Sequence, residues 1–125
     1  MSKDMDLTPS EERLAAIIWR EAPLPSPDLA DFALRELGWK KSTTYTVLKK
    51  LCEKGLFRNE YANVSVVFAR DELISLQSRR YVEDTFGGSL PQFIASFFGG
   101  DKLTEDQADE LISLIKDHKG RDDNG

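Results

Sequence analysis

The chain carries one histidine, His118, and one cysteine, Cys52, far apart in sequence. An enzyme needs a nucleophile beside a base, a paired acid and base, or a metal site, and neither residue has such a companion nearby. His118 reads as a favourable cation near a helix C-terminus. Cys52 flanks an apolar face and reads as a buried, inert thiol rather than a redox sensor. A single cysteine allows no intramolecular disulfide framework and no Cys-rich metal cluster. Neither catalysis, a metal nor a cofactor is expected. The residues whose spacing does suggest chemistry lie between Trp39 and Gly55, WKKSTTYTVLKKLCEKG. At about 100° per residue, Thr44, Val47, Leu48 and Leu51 gather on one side of a helix over residues 42–54. Ser42, Thr43, Thr46, Lys49, Lys50 and Glu53 lie mainly on the other. Ser42 is the predicted N-cap and Gly55 the predicted stop. One side can pack while hydroxyls, a tyrosine and lysines face outward.

Charge singles out the same stretch. The net charge of −5 argues at first against a polyanionic partner. Residues 40–60, however, hold six basic and two acidic side chains, whereas residues 1–39 and 101–125 each hold four basic and eight acidic ones. An acidic body with one basic face can still bind a polyanion, because charges are screened beyond about 8 Å at physiological salt. The acidic remainder limits non-specific binding. The N-terminus is acidic and lacks an apolar run, and no segment approaches the roughly 20 apolar residues of a membrane span. The cytoplasm is the expected location.

The elements around this stretch follow from caps and periodicity. Thr8-Pro9-Ser10-Glu11 predicts a capping box and a helix over residues 9–21. Ala22-Pro23-Leu24-Pro25 reads as an extended connector. Ser26-Pro27-Asp28 predicts a second helix with Ser26 as its cap, carrying Leu29, Phe32, Ala33 and Leu37 and stopped by Gly38. A short turn then leads into the third helix, a helix-turn-helix order in which the later helix reads. After Gly55 the period changes to two. Residues 56–61 and 64–69 predict a hairpin around Ala62-Asn63, held to the helices by Val66 and Phe68 because a lone hairpin is marginal in water. Residues 7–70 thus predict a mostly α winged helix-turn-helix domain with a small β-hairpin.

Residues 71–119 predict three more helices with strong apolar stripes. The first is capped by Asp71, Ser89-Leu90-Pro91-Gln92 reads as a capping box that opens the second, and Thr104-Glu105-Asp106-Gln107 starts the third, with Leu103 and Ala108 placed as a hydrophobic staple. Leu90, Phe93, Ile94, Phe97 and Phe98 lie on the second, and Leu111, Leu114 and Ile115 on the third. Three short helices bury little of their surface alone, so a second copy is the expected cover, twofold dimers being the commonest oligomer. The alternative is a self-contained bundle or packing back on the first domain. Residues 1–6 and 120–125 are expected to be disordered tails.

The chain resembles the penicillinase-repressor family (BlaI, MecI and CopY type) over roughly residues 7–119. The resemblance rests on LTPSEERLAAIIWREAPLP, on the W-K-x-x-T-x-x-T-x-L-x-x-L-x-x-K-G pattern at Trp39, Lys40, Thr43, Thr46, Leu48, Leu51, Lys54 and Gly55, on the hairpin leading into a long helix, and on SLPQFIASFFGGDKLTEDQADELISLIKDHK. It implies a homodimeric transcriptional repressor that binds a palindromic operator with its third helix in the major groove. It also implies a membrane sensor protease that cleaves the dimerising tail at an Asn-Phe bond. The corresponding bond here is Ser96–Phe97, with serine in place of asparagine. The copper-responsive branch ends in a cysteine run, which this chain lacks.

On this reading Thr43, Tyr45 and Thr46 stand where base edges are contacted and Lys40, Lys41, Lys49 and Lys50 where phosphates are, with Ser42 a further DNA-binding candidate. Thr43 could instead only assist capping, and Tyr45 could pack sideways near the hairpin. Arg58 and Asn63 are the wing's candidates. With no cation at the wing tip, residues 42–50 must supply most contacts to DNA. The competing class is a winged helix that serves only as a protein-interaction module, and such modules usually lack a cationic row on the third helix.

Overall fold

The computed structural model describes residues 6–120. Apart from Asp6 and Gly120, the expected disordered tails lie outside the described residues. In chain order the elements are α1 (Pro9–Glu21), β1 (Leu24–Pro25), α2 (Ser26–Leu37), α3 (Lys41–Glu53), β2 (Phe57–Glu60), β3 (Asn63–Val66), α4 (Arg70–Phe86), α5 (Leu90–Phe98) and α6 (Glu105–Asp117). This is a winged helix followed by a helical C-terminal region.

The capping box that starts α1 is present. The Glu11 N–H donates to Thr8 Oγ1 at 3.2 Å, and the Thr8 N–H donates to Glu11 Oε1 at 2.9 Å. Two other expected caps are displaced. Pro25, rather than Ser26, is the N-cap of α2, and Ser26 is already helical. Helix α4 starts at Arg70 behind Ala69, so Asp71 lies inside the first turn, and Glu72 accepts the Ala69 N–H at 2.8 Å. In both places the chain enters the helix one or two residues earlier than the polar residue that resembles a cap.

Helix α3 ends where Gly55 predicts. Gly55 has φ 85°, its N–H reaches the Cys52 carbonyl at 2.9 Å, and the Leu56 N–H reaches the Leu51 carbonyl at 3.3 Å. These are the two bonds of a Schellman motif. The accompanying apolar contact is Leu51 with Leu56, both fully buried.

The hairpin β2–β3 belongs to a three-stranded antiparallel sheet in the order β1-β3-β2, with β3 at its centre. The connector Leu24-Pro25 supplies the third strand, with Leu24 opposite Val64 and Pro25 opposite Asn63. Proline can sit there because β1 is an edge strand. The turn is Tyr61-Ala62, both at positive φ, and not Ala62-Asn63, since Asn63 pairs with Glu60 in the ladder. The strands therefore end earlier than expected. Phe57 and Val64 enter the core, whereas Val66 is exposed. Phe68 does pack against the core, and its carbonyl accepts the Trp19 indole N–H at 2.9 Å.

One apolar core joins Leu14, Ile17 and Ile18 of α1, Leu29 and Ala33 of α2, Val47, Leu48 and Leu51 of α3, the sheet, and Leu73 of α4. An exposed bidentate pair, Arg20 with Glu36 at 3.1 and 2.5 Å, ties α1 to α2. It holds the Glu36 carboxyl below the usual carboxylate range. Helix α5 packs on α4 through an edge-to-face aromatic set, Phe93 with Tyr81 at 6.0 Å and with Phe86 at 5.8 Å. Ser89 caps α5 by accepting the Gln92 N–H at 3.2 Å, but the expected box does not close, because the Ser89 N–H donates to the Phe86 carbonyl at 3.0 Å. Helix α6 starts at a capping box of Thr104 with Gln107 and packs extensively on no other element. No helix among the described residues is long and apolar enough to cross a membrane.

Candidate nucleic-acid interface

Helix α3 has the two unlike faces its sequence implies. Thr44, Val47, Leu48 and Leu51 are buried. Lys40, Lys41, Ser42, Thr43, Thr46, Lys49 and Lys50 are all exposed. Residues three, four and seven apart share a helix face, so Ser42, Thr46 and Lys49 form one row and Thr43 and Lys50 run alongside it.

The start of this helix differs from expectation. Its N-cap is Lys40, with no side-chain cap, and Ser42 lies one residue inside the helix. Ser42 has instead become an acceptor: its carbonyl takes the Thr46 hydroxyl proton at 2.9 Å. That bond fixes the Thr46 hydroxyl on an exposed side chain. The first turn of α3 also contains no acidic residue. Free N–H groups, the positive end of the helix dipole and two lysines thus coincide at one end of the exposed row.

Tyr45 is half-buried and touches the core. It lines a crevice with Leu48, Lys49, Cys52 and Asn59 between α3 and β2. Cys52 is half-buried in the same crevice. Burial pushes its thiol pKa up, only partly offset by a hydrogen bond from the Asn59 backbone, and the Glu53 charge adds to the rise.

Lys54 is the one lysine of the basic island turned to structure. Its ammonium meets Glu11 Oε1 at 2.6 Å and the Asp6 carbonyl at 2.7 Å. Glu11 is only 4% exposed. Burial alone would raise its carboxyl pKa; the Lys54 hydrogen bond, the Thr8 bonds and the Lys54 charge together outweigh this and hold it below the ordinary value. The pair anchors the C-terminal end of α3 to the first turn of α1. Nothing in the local sequence of either residue signals it, because the partners are 43 positions apart.

The wing contributes little charge. Arg58 Nε lies 3.7 Å from Glu60 Oε2 with both side chains more than half exposed, a pair worth little in water. Asn63 is exposed at the start of β3. Among the described residues no group of three or more His, Cys, Asp or Glu side chains converges on a metal position. His118 caps α6, its Nδ1 donating to the Leu114 carbonyl at 3.0 Å.

The apolar tail residues are largely uncovered. Phe97 is 74%, Ile115 58% and Leu90 57% exposed, with Leu114 similar; Phe93, Ile94, Phe98 and Leu111 are half-buried. Tyr81, Val82, Leu90, Phe93 and Phe97 line a groove of about 790 Å³ between α4 and α5. Ser96 and Phe97 both lie in the helical backbone of α5.

A three-helix unit with a hairpin packed behind an exposed, cation-bearing third helix defines the winged-helix class. The chain belongs to the penicillinase repressor family, whose pattern it matches over residues 7–117. It is a transcriptional repressor by family and not an enzyme. It is similar to the penicillinase repressor of Bacillus licheniformis, 20% identical over 125 residues that span 97% of this chain and 98% of that protein.

Proposed function

We propose that the chain is a homodimeric repressor that binds a twofold-symmetric operator with α3 in the major groove. The observation that carries this is the solvent face of α3, where Ser42, Thr43 and Thr46 lie between Lys40 and Lys41 at one end and Lys49 and Lys50 at the other. The lysines and the uncapped helix start would hold phosphates and set register. Thr43 and Thr46 would meet base edges, with the Thr46 methyl available to a thymine methyl. The exposed part of Tyr45 would lie at the margin of the same face. Arg58 and Asn63 would touch the duplex from the wing.

Residues 7–70 would form the DNA-binding unit and residues 71–119 the dimerising one. The uncovered residues on α5 and α6, Leu90, Phe93, Ile94, Phe97, Phe98, Leu111, Leu114 and Ile115, would pack against a second copy, and two copies on a twofold axis would match a palindrome. A membrane sensor protease would reach Ser96–Phe97 when the end of α5 opens, since cleavage acts on transiently opened backbone. The site of action would be the cytoplasm.

The test is duplex binding across a salt series. Affinity should fall steeply with salt through counterion release. Lys49→Ala with Lys50→Ala should weaken all duplexes alike and flatten the slope by about two. Thr46→Ala should relax preference at one or two base pairs while Thr46→Val, which keeps the methyl, should retain it. Failure of the chain to bind heparin even at low salt would favour the protein-interaction module instead.

A further inference from the structure

The hairpin tip is built at odds with local preference. Tyr61 and Ala62 hold φ 53° and 58°, left-handed backbone in which the Cβ of an L residue crowds the following carbonyl. Asn-Gly would adopt that turn freely. The conformation is nevertheless firmly held. The Ser26 N–H donates to the Ala62 carbonyl at 2.8 Å, and β3 is clasped by a strand on each side. Backbone held in this way in an unfavourable region is a recurrent mark of contact sites.

What the turn presents is the Tyr61 ring. It is wholly exposed and has no hydrogen-bond or ring partner among the described residues, so the fold makes no use of it. The hairpin strands carry one cation and one anion, Arg58 and Glu60, facing each other. The tip therefore offers a polyanion no net charge, only a flat apolar ring ending in a hydroxyl.

We propose that Tyr61 is a specificity-determining contact in the DNA minor groove flanking each half-site, with a preference for A·T pairs there. The proposal rests on the reading of α3 as the major-groove helix. Minor-groove walls are sugars, against which a ring can lie. The floor of an A·T pair shows only the acceptors adenine N3 and thymine O2, while a G·C pair adds the guanine amino group. A phenol hydroxyl donates to the acceptors, and the absence of the amino group leaves room for the ring. The wing thus reads by shape and one hydrogen bond rather than by charge.

The test is selection of bound duplexes from a random-sequence library by the full chain, by Tyr61→Ala and by Ala62→Gly, followed by affinity measurement on the recovered sequence. Wild type and Ala62→Gly should recover the same half-sites with A·T-rich flanks. Tyr61→Ala should recover those half-sites without the flanking preference and bind about tenfold more weakly. Its salt dependence should match wild type, because no phosphate contact is lost. Unchanged flanks and an affinity within about twofold of wild type would overturn the assignment, and so would a flattened salt slope, which would make the tip a backbone contact. If wild type recovers no duplex at all, the α3 reading falls with it; if only Tyr61→Ala is silent, the wing assignment falls alone.

Discussion

At the scale of single residues, the same residue type does opposite work depending on what tertiary packing brings beside it. Lys49 and Lys50 stay in solvent, while Lys54, one turn further, is 22% exposed and ion-paired to the buried Glu11. Replacing Lys54 by Met would leave that carboxylate buried without its partner. The expected cost is about 2–3 kcal/mol, below the full figure for a deeply buried pair because Lys54 is not fully enclosed. The pH dependence has a definite sign. The Glu11 pKa is lowered in the folded chain, so its pairing stabilises above the unfolded value and that contribution is lost as pH falls through the folded one. In Lys54→Met burial is opposed only by the Thr8 bonds, and protonation relieves the penalty. Urea denaturation should show a smaller deficit near pH 4 than near pH 7; an equal deficit at both would refute this account of the pair. Thr44 is the residue-scale oddity, a buried hydroxyl in the core with no hydrogen-bond partner among the described residues.

At the scale of elements, α3 is useful only because both of its ends are set. Its start is left open to anions, and its end is closed by the Gly55 turn that aims the chain into the wing. A Cβ at Gly55 would meet nothing within 4 Å, so Gly55→Ala isolates the backbone term. It should lower stability by about 1–2 kcal/mol. Gly100, between α5 and α6, also has open space and no positive φ, so Gly100→Ala should be neutral or raise stability by up to about 1 kcal/mol. Thermal melts of the two variants make the comparison, and equal losses would show that the left-handed turn is not the cause. The elements were unevenly legible in the chain. The α1 capping box and the Ser89 cap of α5 could be read because both partners lie within one turn. The α2 and α4 caps could not, because Ser26 and Asp71 have capping chemistry but the sheet and Ala69 fix where the chain enters each helix.

At the scale of the whole molecule, the two halves differ in how completely they are packed. The N-terminal half has one continuous core, whereas α5 and α6 turn apolar residues to solvent. An exposed apolar surface of this kind marks an interaction site. Phe97→Asp should leave the fold intact, since the ring is 74% exposed, and should convert the expected dimer to a monomer with much weaker operator affinity. Sedimentation equilibrium reads the first effect directly, and a Phe97→Asp dimer would rule out this face as the interface.

What the sequence determined by itself was whatever depends on neighbours a few residues apart: the two faces of α3, the basic island, the glycine stops, the change of period at the wing and the apolar stripes of the tail. Local chemistry also carried the family resemblance, because its motifs are rows on helices. The tertiary structure alone decided the rest. It recruited Leu24-Pro25 as a strand, moved the turn to Tyr61-Ala62, withdrew Lys54 to Glu11 and drew Tyr45 toward Asn59. Each of these depends on a partner distant in sequence, and for such pairs it is the path of the backbone, rather than residue type, that decides which groups meet.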